Sequence, residues 1–396
     1  MQHVTNIWFV ATVWMLLAFI ASLLSIRTGI SVALLEIAMG VIAGNLIGFQ
    51  TNEWVNFLAT FGAGLLTFLA GAEIDPDSLR THLKTALVIG FVSFLFPFLG
   101  AWAFAYWITG WTYNGALICG IALSTTSVAV VYAVMVETGL SSTSLGKMIL
   151  AACFVTDFGT VLALGAFFAD FNRWLIVFVL VLAIVLRFLP RLLRSVISTF
   201  GAARVSEPEV KFVFLVLFFL GGLATTARSE AVLPAYLAGL IVSGVFLEDR
   251  ILVGRMRSIA FTMLTPFYFI KAGLYVSLPA IAGSAGLIFA LLGIKLGTKF
   301  VGVWPVARLF GLPRRAAAYT TLMMATGLTF GTISALFGLE NHLIDQTQYT
   351  ILVTVVIGSA VVPTLVAQSF FKPDLKPEAA VAASMVDVPS TAQRGR

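Results

Sequence analysis

Charged residues are scarce in this 396-residue chain: only 11% are Asp, Glu, Lys or Arg, whereas 60% are hydrophobic and the mean hydropathy is +1.01. This composition excludes an ordinary soluble domain. The two cysteines, Cys119 and Cys153, both fall in apolar stretches, which excludes a disulfide framework. The sequence has neither a His/Cys cluster with metal-ligand spacing nor a glycine-rich phosphate loop. We therefore expect no enzyme activity and no cofactor.

Long apolar runs are abundant instead. A helix needs roughly 20 apolar residues to cross a bilayer core of about 30 Å. Breaks at glycine, proline and charge clusters predict an all-α polytopic membrane protein with thirteen transmembrane helices. The first run has no cationic start and no small-residue cleavage site, so it is predicted to be a retained helix. The predicted spans 1 to 13 cover residues 7–26, 30–49, 54–74, 83–109, 114–135, 143–168, 173–193, 209–227, 231–247, 258–276, 284–309, 315–338 and 346–370.

The loops between the spans indicate the orientation. With the N-terminus outside, 19 of the 24 Lys and Arg residues fall in cytoplasmic loops or the C-terminal tail, and only Arg173 and Arg228 fall outside. Membrane proteins keep positive residues on the cytoplasmic side. We therefore predict a protein of the bacterial inner membrane with its C-terminus in the cytoplasm. The polar tail, residues 372–396, is predicted to be disordered.

Two spans carry polar runs at mid-membrane depth. These are Ser124, Thr125, Thr126 and Ser127 in span 5, and Thr326, Gly327 and Thr329 in span 12. Unwound backbone is tolerated at that depth where it lines a cavity or is buried in protein, and paired breaks in two halves indicate a transporter site. An inverted repeat of spans 2 to 6 against spans 9 to 13 fits this spacing. The alternative is that these small polar residues only hold neighbouring helices together.

Few ionisable residues lie inside the spans. An Asp or Lys near the bilayer centre costs about 2.5 to 3.5 kcal/mol on insertion scales, which makes it a functional candidate. Asp157 lies in the middle of span 6, and Lys295 and Lys299 lie on span 11. A structural ion pair is the alternative role for Asp157, and a structural role is the alternative for Lys299. We expect the Lys299 ammonium to find partners at Asp157 itself, the hydroxyl of Thr156 or the carbonyls freed by the break in span 12. Lys271 lies near the outer end of span 10, where we expect its long side chain to reach the interface.

A single buried carboxyl group can exchange a proton for a cation. Burial disfavours the ionised form of Asp157 and a nearby ammonium favours it, so a site with both can take up and release protons near neutral pH. Hydroxyl oxygens of Thr126 and Thr156, with the broken-helix backbone, are suitable ligands for a hard monovalent cation. Proton and cation then compete for one site, and this competition couples their opposite fluxes.

Several motifs give the sequence a family resemblance. It resembles the monovalent cation:proton antiporter superfamily, and within it the second cation:proton antiporter family. Residues 69–75 (LAGAEID) are similar to the family's FLAGLELD, and residues 123–127 (LSTTS) to its SATSP break. The segment 146–157 resembles the LGRLILAAAVIDD helix. The remaining matches are 235–240 (AYLAGL) with GAFLAGL and 265–274 with LPLFFVSVGL.

The resemblance implies a homodimer of thirteen-helix subunits with two crossed broken helices, in spans 5 and 12. It implies a mobile core of about residues 83–168 and 284–370, a dimerisation part of about 7–74 and 209–276, and a linker helix of about 173–193. The core would move like an elevator. The family's span 11 lysine precedes an ARLFG segment, which favours Lys299 over Lys295 because residues 307–311 carry that segment.

The chain departs from the family at one position of the site. Electrogenic members have two adjacent aspartates on span 6, whereas here Thr156 precedes Asp157. We therefore expect electroneutral exchange of one cation for one proton, with Na⁺ favoured over K⁺. One alternative is a sodium-coupled symporter of an organic anion, because bile-acid-type carriers are thought to share the crossed broken helices. Another is a gated channel, although no carbonyl-lined repeat filter is present.

Overall fold

The structure is a computed structural model that describes residues 6–28, 31–72, 83–138, 140, 143–168, 173–200, 206–227 and 232–373. Within these ranges the chain is helical, with short turns between helices and no β-strand. Three features named from the sequence lie outside the described residues: Glu73 in the first family motif, Arg228, and the tail beyond residue 373. The hydrophobic core is formed between helices.

Seventeen α-helices lie in the described part of the chain. In its first half they are α1 (Ile7–Thr28), α2 (Val32–Ile42), α3 (Glu53–Ala72), α4 (Leu83–Ala103), α5 (Tyr113–Ser124), α6 (Val128–Glu137), α7 (Ser144–Phe168) and α8 (Arg173–Phe200). In its second half they are α9 (Pro208–Thr226), α10 (Val232–Glu248), α11 (Arg250–Ile259), α12 (Thr265–Leu274), α13 (Leu278–Gly283), α14 (Ala285–Leu309), α15 (Arg314–Met324), α16 (Thr329–Glu340) and α17 (Gln346–Phe370).

Polar side chains cap several helix starts. The hydroxyl of Thr112 accepts a hydrogen bond from the backbone at the start of α5, and the carboxylate of Asp249 does the same for α11. At α17, Asp345 and Gln348 form a reciprocal capping box. These contacts satisfy backbone N–H groups that have no partner within the helix. Each of these three helices therefore begins directly after its capping residue.

Nine described helices are long and apolar enough to cross a membrane, and three shorter apolar helices accompany them. The count of nine joins α15 and α16 into one span of 27 residues, Arg314–Glu340. Lipid-exposed backbone must be satisfied within its own helix, which explains why such a chain folds into helices only. The prediction of an all-helical integral membrane protein is thereby confirmed.

The predicted spans overlap the observed helices, with three differences. One is the short helix α13, which lies in the predicted loop between spans 10 and 11. Hydropathy ends span 7 at residue 193, but α8 continues to Phe200. Residues 250–257 are predicted to lie in a cytoplasmic loop and instead form α11. Asp249 caps this helix, and Arg255 binds Glu209 at 2.7 Å. Hydropathy misses it because its residues are charged on one side and it is not an apolar run.

Two helix pairs pack with their backbones in direct contact. Helices α2 and α12 meet at Gly40 and Gly273, where a methyl group added to Gly40 would lie 2.1 Å from the carbonyl oxygen of Ile270. Helices α3 and α10 meet at Gly71 and Gly239 in the same way. Small residues at membrane-helix interfaces permit such close approach. The four helices therefore form a tightly joined group beside the rest of the protein.

Candidate ion-binding site

Two apolar segments of the described chain are each interrupted between two helices, and the interruptions touch. Residues 125–127 separate α5 from α6, and residues 325–328 separate α15 from α16. The backbone N–H of Ser127 donates to the carbonyl of Thr326 at 3.1 Å. The hydroxyl of Thr126 donates to the carbonyl of Met324 at 2.7 Å. Each break therefore supplies hydrogen-bond partners for the other, which removes part of the cost of unwinding.

Most hydroxyl groups of the two breaks bond to the preceding turn of their own helix. Ser124 donates to the carbonyl of Ile121 at 2.8 Å, and Thr125 donates to that of Ala122 at 3.0 Å. In the second break, Thr326 donates to a carbonyl one turn back at 2.8 Å. All three side chains are buried. Their hydroxyl protons are engaged, so their oxygen lone pairs remain available to a ligand.

Lys299 lies beside the first break and is fully buried. Its ammonium donates to the hydroxyl of Ser93 at 2.7 Å, the carbonyl of Ser124 at 2.9 Å and the hydroxyl of Thr126 at 3.2 Å. The Ser124 carbonyl lies at the C-terminal end of α5, where the helix dipole favours a cation. We expected partners at Asp157, Thr156 or the second break. That expectation was wrong, because the first break lies closer.

Lys295 lies one helical turn earlier on α14 and approaches the second break. Its ammonium donates to the hydroxyl of Ser359 at 2.9 Å. A methyl group added to Gly327 would lie 2.3 Å from this ammonium nitrogen, so the absence of a side chain at Gly327 makes room for it. Each break therefore has its own buried lysine, and both lysines come from α14.

Asp157 is 1% exposed on α7, and its Oδ1 atom has no hydrogen-bond partner among the described residues. One turn earlier, the Cys153 thiol lies 3.8 Å from the sulfur of Met324, which precedes the second break. No ion pair joins Asp157 to Lys299 within the described part of the chain. Thr156 turns toward α4, and its hydroxyl lies 3.3 Å from the Gly90 carbonyl. Asp157 is thus a buried acid with an unused oxygen.

The structure brings together most of the residues that the sequence singled out. Lys299, Thr126 and Ser127 meet at the contact between the breaks, and Lys295 meets Gly327 there. Thr329 begins α16 and is half-buried. Sequence reasoning missed two hydrogen-bond partners, Ser93 and Ser359. Each is a buried serine in an apolar helix, with no motif around it to mark it.

Other buried charges lie away from the two breaks. Lys271 on α12 forms an ion pair with Glu340 at the end of α16, so its side chain reaches a carboxylate where we expected it to reach the interface. A cavity of about 60 Å³ lies beside this pair. Glu36 on α2 is 2% exposed, and its Oε2 atom has no partner among the described residues. The described residues contain no group of three His, Cys, Asp or Glu residues that could hold a metal ion.

Comparisons with known proteins agree with this architecture. The family described as "Sodium/hydrogen exchanger, transmembrane" matches residues 15–372. The chain is 24% identical over 348 residues to a probable Na⁺/H⁺ antiporter of Methanocaldococcus jannaschii, covering 84% of this chain and 89% of that one. It is 23% identical over 361 residues to a Na⁺/H⁺-K⁺ antiporter of Bacillus cereus, covering 88% and 92%. A solved structure of a sodium proton antiporter from M. jannaschii at pH 8 superposes with a TM-score of 0.67 at 13% identity, covering 90% of this chain and 95% of that one.

Proposed function

The chain belongs to the sodium/hydrogen exchanger family, and on that premise we propose that it exchanges a monovalent cation for a proton across the membrane. Its relatives are transporters and not enzymes, and the transported ions are substrates that need no cofactor. The observation that carries the proposal is Asp157, a buried carboxyl group with an unused oxygen beside two touching helix breaks. Na⁺ is the favoured cation and K⁺ the alternative, since one relative is named for both ions.

In this proposal Asp157 is the shared site for cation and proton. An ionised carboxylate at this depth must be neutralised, either by a proton or by a cation with further oxygen ligands. The hydroxyls of Thr126 and Thr156 each donate to a carbonyl. Thr156 therefore keeps lone pairs that can face a cation, whereas Thr126 also accepts from Lys299 and keeps one. The protonated form and the cation-bound form of the site are both neutral, whereas the empty carboxylate carries one negative charge. Competition between the two ions therefore suffices for antiport.

We further propose that exchange is electroneutral, with one cation moving for one proton. Thr156 takes the place of the first of the two adjacent aspartates in the family motif. Asp157 is therefore the one carboxyl group at these two positions. In this scheme Lys299 keeps a constant charge, and the three oxygen acceptors around its ammonium offset part of the cost of burying it. A constant charge cancels from the transport cycle. The net charge moved per cycle is then zero.

The proposed architecture is an inverted repeat of thirteen spans with crossed breaks in spans 5 and 12. Four helix positions in the core support it. Asp157 lies thirteen residues after the first residue of α7, and Ser359 lies thirteen residues after the first residue of α17. Ser93 lies ten residues after the first residue of α4, and Lys295 lies ten residues after the first residue of α14. Spans 4 and 6 thus match spans 11 and 13 in length and polar position.

The glycine contacts outside the core support the same repeat. Spans 2 and 3 correspond to spans 9 and 10, so a contact of span 2 with span 10 should recur as a contact of span 9 with span 3. The first contact is that of Gly40 with Gly273, and the second is that of Gly239 with Gly71. In both, a methyl group added to either glycine would lie 2.0 to 2.4 Å from a carbonyl oxygen of the facing helix. The two contacts are counterparts under the repeat.

The core, at about residues 83–168 and 284–370, is proposed to move as an elevator against the dimerisation part, at about 7–74 and 209–276, with 173–193 as linker. Few polar contacts among the described residues cross this boundary, but one of them is the ion pair of Lys271 with Glu340, which the movement would have to break. The side chain of Gln346 also donates to the carbonyl of Tyr275 at 3.3 Å. Tyr236 donates to the carbonyl of Phe154 at 3.1 Å, and Tyr349 donates to that of Ala272 at 2.6 Å. A boundary with few hydrogen bonds can slide at low cost. We also propose a homodimer in the bacterial inner membrane, with the N-terminus outside and the C-terminus in the cytoplasm.

The test is transport by purified protein in liposomes that contain a pH-sensitive dye. After a pH gradient is set, Na⁺, Li⁺ and K⁺ are added in turn and the recovery of internal pH is followed. Antiport predicts cation-dependent proton movement that saturates with Na⁺. A protein that moves cations without moving protons would instead be a channel, and uptake of an organic anion with Na⁺ would identify a symporter.

A further inference from the structure

A groove on the surface of the proposed core has no assigned role. It has a volume of about 730 Å³ and lies between the end of α14, the start of α15 and the end of α17. Its aromatic walls include Phe300, Trp304 and Phe370, and 70% of Phe370 is exposed. Arg314 and Arg315 lie at its edge. One side of the groove is therefore apolar and the other is cationic.

The two arginines occupy an unusual position. They are the first two residues of α15, whose first turn contains no acidic residue. The positive end of the helix dipole disfavours cations there by about 0.3 to 1 kcal/mol each and favours an anion. Among the described residues, the side chain of Arg314 has neither a hydrogen bond nor an ion pair. An anion at this edge would offset the charge of Arg314, which the helix itself cannot.

The position of the groove in the membrane indicates the kind of anion. In the proposed orientation the three helix ends face the cytoplasmic leaflet, together with the exposed Lys372 that follows α17. Basic pockets between helices on that side favour anionic lipid head groups, and tryptophan side chains such as that of Trp304 favour the membrane interface. An anionic phospholipid supplies both a phosphodiester for the arginines and an acyl chain for the aromatic walls.

We propose that this groove binds one anionic phospholipid of the cytoplasmic leaflet. The competing occupant is the chain's own C-terminal segment. Residues 374–396 contain three acidic and three basic residues, so that segment has no net charge to match two arginines. Charge complementarity therefore favours the lipid. The site is separate from Asp157 and the two breaks, so its occupancy does not depend on whether the proposed transport reaction is correct.

The test measures lipid binding to the delipidated protein in a neutral detergent. Phosphatidylglycerol or phosphatidylcholine is added, bound lipids are counted by native mass spectrometry, and the thermal unfolding midpoint is recorded. Phosphatidylglycerol should bind as one tight copy and raise the midpoint more than phosphatidylcholine. In the double variant Arg314→Gln/Arg315→Gln, the affinity for that copy should fall about 30-fold, since each basic residue near anionic lipid contributes about 1 kcal/mol.

The matched control is the double variant Arg187→Gln/Arg191→Gln, which removes two exposed arginines of α8 on the same predicted side. It should keep the tight copy. Equal weakening in both double variants would show a general charge effect and overturn the site. Stabilisation by inorganic phosphate alone would contradict a lipid, because no acyl chain is involved. A chain truncated after residue 376 that gains affinity for phosphatidylglycerol would show the C-terminal segment to be the occupant.

Discussion

The two buried lysines of α14 lie one helical turn apart, yet their surroundings differ. Lys299 has three oxygen acceptors, one of them the carbonyl at the end of α5, whereas Lys295 has the single hydroxyl of Ser359. Hydrogen bonds to a charged group contribute about 1.5 to 3 kcal/mol each. We infer that Lys299 holds the two halves of the core together, and that Lys295 is the less stabilised charge. Equal burial thus does not mean equal roles.

The largest effect is expected at the buried acid of the core. Asp157→Asn keeps the size of the side chain but removes its exchangeable charge, so cation-dependent proton movement in liposomes should be abolished. Glu36→Gln is the matched control, because it neutralises a carboxyl group that is equally buried in α2, outside the core. The control should transport normally. Substantial antiport by the Asp157→Asn protein at normal expression would end the single-site scheme.

The contrast between the lysines can be measured directly as stability. Lys299→Gln replaces the ammonium with a shorter, neutral amide that cannot reach all three acceptors. We expect a loss of about 2 to 4 kcal/mol in the free energy of unfolding. Lys295→Gln affects one hydroxyl and should cost less, about 1.5 kcal/mol. Thermal unfolding of the two purified variants in one detergent gives the ranking. If Lys295→Gln is the more destabilised, the assignment of the structural lysine is reversed.

The space that Gly327 leaves for Lys295 gives a third comparison. Gly327→Ala places a methyl group against the ammonium and should displace it from Ser359, at a cost of about 1 to 3 kcal/mol. In a Lys295→Met background this cost should shrink, because no ammonium remains to be displaced. A double-mutant cycle of unfolding measures the coupling. Gly297→Ala is the control, since its methyl group would meet nothing within 4 Å. Fully additive effects of Gly327→Ala and Lys295→Met would refute the contact between Gly327 and the Lys295 ammonium.

The smallest effect is expected from the membrane potential. If Lys299 keeps its charge throughout the cycle, exchange moves no net charge, and an imposed potassium diffusion potential should not drive proton movement in the presence of Na⁺. The measurement uses the same liposomes with valinomycin. A potential that does drive exchange would require a second titrating group, and Lys295, with its single acceptor, would then be the first to replace.

Sequence reasoning located the helices better than their contacts. The bilayer dictates the length of an apolar run, so hydropathy predicted the long helices, and polar runs at mid-depth predicted both interruptions. The predicted partners of Lys299 were wrong because one observed partner, Ser93, is a single hydroxyl in an apolar helix, 206 residues away in the chain. The pairing of Lys271 with Glu340 was missed because the two residues lie on helices that are far apart in the sequence. Contacts between distant helices depend on packing, which leaves little signal in a single sequence.

The backbone contacts of Gly40 with Gly273 and of Gly71 with Gly239 have a consequence for natural variation. A methyl group at any of the four positions would meet a carbonyl oxygen at 2.0 to 2.4 Å, and no side-chain rotation could relieve that contact. These positions should therefore remain glycine wherever the helix pairs persist in evolution, while the lipid-facing residues around them change freely. A homologue that has lost one of the four should show the loss matched by a wider separation of that helix pair.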